Sequence, residues 1–335
     1  MKLNSVYIET TTRCNLNCVT CYNSSGKNRV HTDMDAGKIL HIINTFLPYG
    51  MKRVQISGGE PTLNPCFGEI LDLVDRFPAL TFSFVTNGTV HDERFIEMLN
   101  TRQNMTVQIS LDGSREEVNA RTRGVGHFAA AADFARRVDT PAEKPRLKEV
   151  ISRTNYDDVE DYYRLAHSLG CMPEFAFIFR SGNGAQGWED KSLSAKEKMT
   201  ALRKIEALNL ETGLEAELPR TTVTCTYVKG TEGLSLCIKP DGTVQPCQVM
   251  YDGRYSVGNV FTDSAELIEE NINKVHTMAK ERASADLAGC GRCIMKSVCG
   301  RGCMALAIDL HGDHLAEDEE CEYRKMLFLK DLNRG

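Results

Sequence analysis

An α/β fold built on a parallel sheet is what this 335-residue sequence predicts, and three observations predict it. Six short apolar or alternating segments recur along the first two-thirds of the chain, and amphipathic helical patterns separate them. The alternation then stops near residue 215, where a tail rich in Gly, Pro and Cys begins. Six strand and helix units in a row imply a parallel sheet, either open or curled into part of a barrel.

The strand candidates are 6–9, 53–57, 80–86, 105–110, 147–152 and 174–180. Between them, 35–47 carries Ile39, Leu40, Ile43 and Phe46 at helical spacing, and similar patterns cover 67–76, 92–100, 128–138 and 158–169. A last helix of this series runs from Ser194, with Glu197 completing a capping box, to about residue 212. Beyond it the sequence predicts a hairpin over 234–248 turning on Pro240-Asp241-Gly242, a helix over 264–282 and a closing helix over 319–332. A boundary near 213–221 divides the chain into 1–215 and 216–335.

The formal charge is −6 with both signs interspersed, so no basic stripe marks a nucleic-acid footprint. No apolar run approaches a membrane span, and the N-terminus lacks a signal-peptide pattern; a cytoplasmic protein is expected. Thirteen cysteines in a cytosolic chain point to metal ligation, since three cluster near the N-terminus and eight follow residue 220. Cys66 and Cys171 stand apart and read as small buried hydrophobes.

Cys14, Cys18 and Cys21 follow C-x3-C-x2-C, one thiolate short of the four that normally hold a [4Fe–4S] cube. In parallel α/β domains, ligand-binding groups collect at the carboxyl ends of strands. Each of the first five strand ends here carries such material: the cysteine loop, then Ser57-Gly58-Gly59-Glu60-Pro61-Thr62, Thr86-Asn87-Gly88, Ser110-Leu111-Asp112-Gly113 and Ser152-Arg153-Thr154-Asn155. Near the C-terminus, Cys290, Cys293, Cys299 and Cys303 follow C-x2-C-x5-C-x3-C, with Cys321 later and Cys225, Cys237 and Cys247 upstream. By spacing alone, paired C-x2-C knuckles also suit zinc. A structural or interaction protein holding zinc or iron–sulfur clusters is therefore the non-enzyme alternative.

Together these motifs resemble the radical S-adenosylmethionine superfamily, and within it the enzymes with a SPASM extension. The resemblance implies a partial (β/α)6 TIM-like barrel followed by a small cysteine-rich SPASM domain. It implies three [4Fe–4S] clusters: one on Cys14, Cys18 and Cys21 that binds S-adenosylmethionine through its free iron, and two auxiliary ones. Matching positions assign Cys290, Cys293, Cys299 and Cys321 to one auxiliary cluster, and Cys225, Cys247 and Cys303 to the other. Cys237 is its candidate fourth ligand, or else a hydrogen-atom donor to a substrate radical, or plain core. Gly58, Gly59, Glu60 and Pro61 resemble the motif that receives the methionyl amine, while Ser110, Asp112 and one of Arg121, Arg123 and Arg153 resemble the carboxylate and ribose region. Asn87 is a further contact. The position before the third cysteine, usually aromatic and beside the adenine, is Thr20 here, so that contact is either lost or supplied by Tyr22.

The activity implied is one-electron cleavage of S-adenosylmethionine to a 5′-deoxyadenosyl radical that takes a hydrogen atom from substrate, fed by a donor such as flavodoxin or ferredoxin. A ribosomally made peptide, oxidatively modified or crosslinked, is the expected substrate. The alternative is a small molecule such as an aminocyclitol or sugar, dehydrogenated or epimerised. The first strand leaves no room ahead of it for a peptide-recognition domain, so a separate recognition protein is expected. The run 181–187 fits G-x-G-x-x-G, yet no helix opens at its glycines, and it reads as a flexible loop over the mouth of the site. His311 and His314 read as a surface turn.

Overall fold

The computed structural model describes residues 1–26, 30–219, 221–250, 253–287 and 289–332. Alternation of apolar and polar side chains places the strands where the sequence expects them: β1 (Leu3–Glu9), β2 (Arg53–Ser57), β3 (Thr81–Thr86), β4 (Met105–Ser110), β5 (Arg146–Ile151) and β6 (Met172–Phe177). All five neighbouring pairs are parallel and follow chain order.

The helices between them are α1 (Ala36–Phe46), α2 (Phe67–Arg76), α3 (Glu93–Thr101), α4 (Glu116–Arg123), α5 (His127–Arg137) and α6 (Val159–Ser168); the single turn α7 (Trp188–Lys191) and α8 (Ala195–Thr212) follow β6. Asp35 and Asp92 cap α1 and α3 by accepting from the Lys38 and Phe95 amides at 2.8 Å, and Ser194 with Glu197 forms the expected capping box on α8. Val6, Ile8, Val54, Ile56, Phe82, Phe84, Ile109, Leu147 and Ile151 are fully buried and join one core with Ile39, Ile42, Ile43 and Phe46 of α1. The opposite face carries Tyr7, Gln55, Ser57, Gln108, Ser110 and Lys148. Side chains from all six strands line a single cavity, which a flat sheet cannot achieve; the sheet is therefore curled into a partial barrel.

The C-terminal part continues this sheet. β7 (Leu234–Ile238) pairs parallel with β1, placing Cys237 opposite Tyr7, and β8 (Thr243–Gln245) and β9 (Gly258–Asn259) add antiparallel strands. Gly242 turns the hairpin at φ +88, where a Cβ would meet the Phe261 ring at 2.3 Å. Three helices complete the chain: α9 (Ala265–Ser284), α10 (Met304–His311) and α11 (Cys321–Leu332). The interval read as a boundary follows α8, and one residue of it, 220, lies outside the described residues. Among the described residues no helix is long and apolar enough to cross a membrane.

Candidate active site

Thr11 and Arg13, just past β1, meet the loop after β2 backbone to backbone: the Gly59 amide donates to Thr11 O and the Glu60 amide to Arg13 O, both at 2.7 Å. A Cβ on Gly58 would meet Thr11 O at 2.4 Å, and one on Gly59 would meet Arg13 O at 2.0 Å. The two glycines thus let the cysteine loop pack closely against this turn while also lining a large cavity beside it. Glu60 is buried, and burial raises its pKa. Its carboxylate accepts from the Thr62 and Thr86 hydroxyls at 2.7 and 2.8 Å and from the Asn87 amide at 2.6 Å, tying the second strand-end loop to the third.

These loops enclose a cavity of about 440 Å³ lined by Cys14, Cys18 and Cys21 together with Gly58, Gly59, Glu60, Asn87, Ser110, Arg123, Thr20 and Tyr22. Pro61 is buried and opens a short 3-10 turn without reaching the cavity. Asp112 is not among the lining residues either. Its carboxylate is fully buried and faces Arg123, with Nε to Oδ2 2.9 Å and Nη2 to Oδ1 3.2 Å, so it acts by orienting that guanidinium. Of the three arginines left open by the sequence, only Arg123 lines the cavity; its Nη1 lies 3.9 Å from Cys18 Sγ. Arg121 donates to Thr154 O and Arg153 pairs with Glu197. The Tyr22 hydroxyl is 2.8 Å from that of Tyr7, which donates to Ser57 at 2.5 Å.

The run 181–191 is not a free loop over the mouth. Asn183 donates from its backbone to Cys21 O at 2.8 Å and from its side chain to Cys18 O at 3.0 Å, and Lys191 Nζ binds the carbonyls of Val19, Asn183 and Gln186. Gly182 is required because a Cβ there would meet Tyr22 O at 2.4 Å. The glycine spacing thus serves close packing against the cysteine loop. Sequence reasoning also missed His127, whose Nε2 donates to Asn87 O at 2.8 Å, and the inward polar positions of the strands, whose alternation was the available signal.

Cys290, Cys293, Cys299 and Cys321 line a second, small cavity of about 40 Å³. Cys225 is brought near Cys303 by bridges from Thr224 to Gly300 and Gly302. Burial, then the neighbouring Cys303 and Cys225, push the Cys247 thiol up to about 12. Cys237 is buried beside Glu9, Sγ to Oε1 3.8 Å, where Lys239 also binds Glu9 at 2.7 Å. Its thiol is not among the residues that line the large cavity, although its register partner Tyr7 is. Cys171 is buried as expected, whereas Cys66 is half-buried at the start of α2. His311 ends α10 instead of lying in a turn, and His314 faces Glu281 in the turn that follows.

Among the described residues no three His, Cys, Asp or Glu side chains close on a point suited to a single ion. Cys14, Cys18 and Cys21 border the large cavity and Cys290, Cys293, Cys299 and Cys321 the small one, and three thiols beside a cavity wide enough for a nucleoside fit an open-site cluster and its ligand.

Residues 8–166 match the Radical SAM superfamily, and residues 230–294 match SPASM, an iron–sulfur cluster-binding domain. The mycofactocin maturase MftC of Mycobacterium ulcerans is 29% identical over 314 residues, covering 89% of this chain and 82% of its own. The AdoMet-dependent heme synthase of Methanosarcina barkeri is 26% identical over 340 residues, 94% of this chain and 95% of its own. Streptococcus suis SuiB bound to precursor peptide SuiA superimposes with a TM-score of 0.76 at 14% identity, over 95% of this chain and 75% of that one; it shares the fold.

Proposed function

We propose, for a chain that belongs to the radical S-adenosylmethionine enzymes with a SPASM domain, that it oxidatively modifies or crosslinks a ribosomally made peptide after hydrogen-atom abstraction. One observation carries the reading: the same cavity is lined by Cys14, Cys18 and Cys21 from the N-terminal loop and by Cys303 from the C-terminal part. Substrate held there would have a radical source and an electron exit bordering one cavity, the arrangement a net oxidation needs.

Cys14, Cys18 and Cys21 would hold the first [4Fe–4S] cluster. Gly58, Gly59, Glu60, Asn87, Ser110 and Arg123 would cradle S-adenosylmethionine, with Arg123 offering its fork to the carboxylate. Two auxiliary clusters would rest on Cys290, Cys293, Cys299 and Cys321, and on Cys225, Cys247 and Cys303 with Cys237 as fourth ligand. When bound, these groups supply one-electron cleavage of the sulfonium and a hydrogen-abstracting carbon radical. The protein's part is to place one substrate C–H bond and to keep out water, which the apolar wall of Val85, Val150, Phe177, Ile178 and Phe179 serves. A flavodoxin or ferredoxin would deliver the electron, and a separate recognition protein would present the peptide.

The peptide assignment draws support from MftC, a maturase by name, and from SuiB, which binds a precursor peptide. A second reading, dehydrogenation or epimerisation of a small aminocyclitol or sugar, is favoured by the inward-facing Gln55, Gln108 and Lys148 and by the heme synthase relative. Anaerobic reconstitution is expected to load about twelve irons per chain and to yield 5′-deoxyadenosine with dithionite. Replacing Cys14, Cys18 and Cys21 by Ala is to abolish cleavage while keeping the auxiliary iron. Absence of cleavage in the loaded chain would sink the enzyme reading. A short peptide encoded beside the gene that loses mass in the reaction supports the first substrate class; turnover of a sugar instead decides for the second.

A further inference from the structure

Among the described residues beyond 200, four buried side chains carry charge: Arg282, Arg301 and Arg324 against the single carboxylate of Asp318. Asp318 is matched by Arg324, with Nη2 to Oδ1 at 2.5 Å and Nη1 to Oδ2 at 2.8 Å. The other two arginines reach only carbonyls. Arg301 Nη1 donates to Cys299 O at 2.7 Å and Lys296 O at 3.0 Å, and Arg282 Nη2 donates to Arg301 O at 2.6 Å. Neither guanidinium hydrogen-bonds a carboxylate: Asp318 is taken by Arg324, and Asp286 and Glu317, the other acids nearby, are exposed, so the buried charge is in positive excess, an expensive arrangement unless an anion belongs there.

Arg301 is also strained. It stands at φ +67 between Gly300 and Gly302, where a Cβ would meet the Thr224 side chain at 2.4 Å and Asp318 Oδ2 at 2.2 Å. A turn that excludes side chains at both neighbours keeps an arginine in the left-handed region, which glycine would occupy without strain. Arg301 and Arg324 both line the small cavity of Cys290, Cys293, Cys299 and Cys321, and Arg324 Nε is buried with no partner among protein atoms.

We propose that Arg301 and Arg324 are positioning residues that hold the four-cysteine site and raise the reduction potential of the cluster there, making it the onward acceptor for an electron that leaves the cavity through the Cys303 site. This rests on the cluster assignment under the proposed function. A [4Fe–4S] centre on four thiolates is a dianion when oxidised and a trianion when reduced, so a fixed buried cationic excess stabilises the reduced form more. The free Nε–H of Arg324 offers a hydrogen bond that strengthens in the same direction.

The test uses the full chain with Cys14→Ala, Cys18→Ala and Cys21→Ala, so that EPR-monitored titration reads the auxiliary clusters alone; Cys293→Ser identifies which signal belongs to this site. Arg301→Gly relieves the backbone strain and removes the charge: unchanged iron content with a lower potential for this cluster alone is the expected result. Arg301→Lys is to keep the potential near that of the parent, and Arg324→Gln is to lower it. If Arg301→Gly loses iron while Arg301→Lys retains both iron and potential, the positioning role stands. Iron retained with the potential unmoved in both Arg301→Gly and Arg324→Gln overturns the proposal. A parent chain that takes up zinc and no iron overturns the cluster assignment itself.

Discussion

His127 shows how a residue with no motif shapes the site. It is 2% exposed, donates from Nε2 to Asn87 O and receives Asn119 Nδ2 at Nδ1 at 3.0 Å, a pairing that suits only the neutral ring. Burial, and then the nearby Arg123 charge, lower its pKa from 6.5 to about 4. The unfolded chain therefore binds the proton more tightly than the native one. The contribution is complete above pH 6.5 and is lost as pH falls toward 4, in all about 3 kcal/mol. His127→Gln is expected to flatten the loss of stability between pH 7 and 4.5 in denaturant titrations. An unchanged slope would refute this role. Nothing in the sequence pointed to it, because a lone His at a helix start gains meaning only when the Asn87 turn folds onto it.

Elements were more legible than contacts. Every strand of the barrel lies within about three residues of its predicted span at either end, since alternation survives burial on one face. α4 was missed because Glu116-Glu117-Val118-Asn119-Ala120-Arg121-Thr122-Arg123 has too few apolar residues to show a stripe, and α10 because Met304-Ala305-Leu306-Ala307-Ile308 is apolar all round. The cysteine motifs were readable since ligand spacing is local; the run 181–187, the first part of a strap over 181–191, was misread since its partner lies some 160 residues away. That strap makes a prediction at this scale. Lys191 Nζ donates to Val19 O and Asn183 O at 3.0 Å and to Gln186 O at 2.6 Å. Charged donors of this kind contribute about 1.5 to 3 kcal/mol each. Lys191→Met is expected to raise amide hydrogen exchange of the cysteine loop, residues 17–22, in the metal-free chain, and to lower iron retained at Cys14, Cys18 and Cys21. Exchange equal to the parent would show that Asn183 and Gly182 hold the loop without it.

At the scale of the molecule, the two family matches share one sheet, and the sheet decides whether either half stands alone. β7 pairs with β1 along its length, from Leu3 opposite Leu234 to Ile8 opposite Ile238. β1 is also the strand that leads into the cysteine loop, so its position sets that of the first cluster site. Cutting after residue 215 turns this buried strand into an exposed edge, removes Lys239 from the buried Glu9 carboxylate, and uncovers Met199 and Leu202 of α8, which pack on Tyr323. Breaking a buried ion pair alone costs about 3 to 5 kcal/mol, comparable to much of a domain's stability. The fragment 1–215 is therefore expected to lack a cooperative thermal transition and to bind no stable cluster, although it carries Cys14, Cys18 and Cys21. Adding 216–335 in trans should restore part of both if strand pairing is the missing term. A fragment that melts cooperatively and holds about four irons would mean instead that β1 is fixed by β2 and the barrel helices, and that the C-terminal half merely docks.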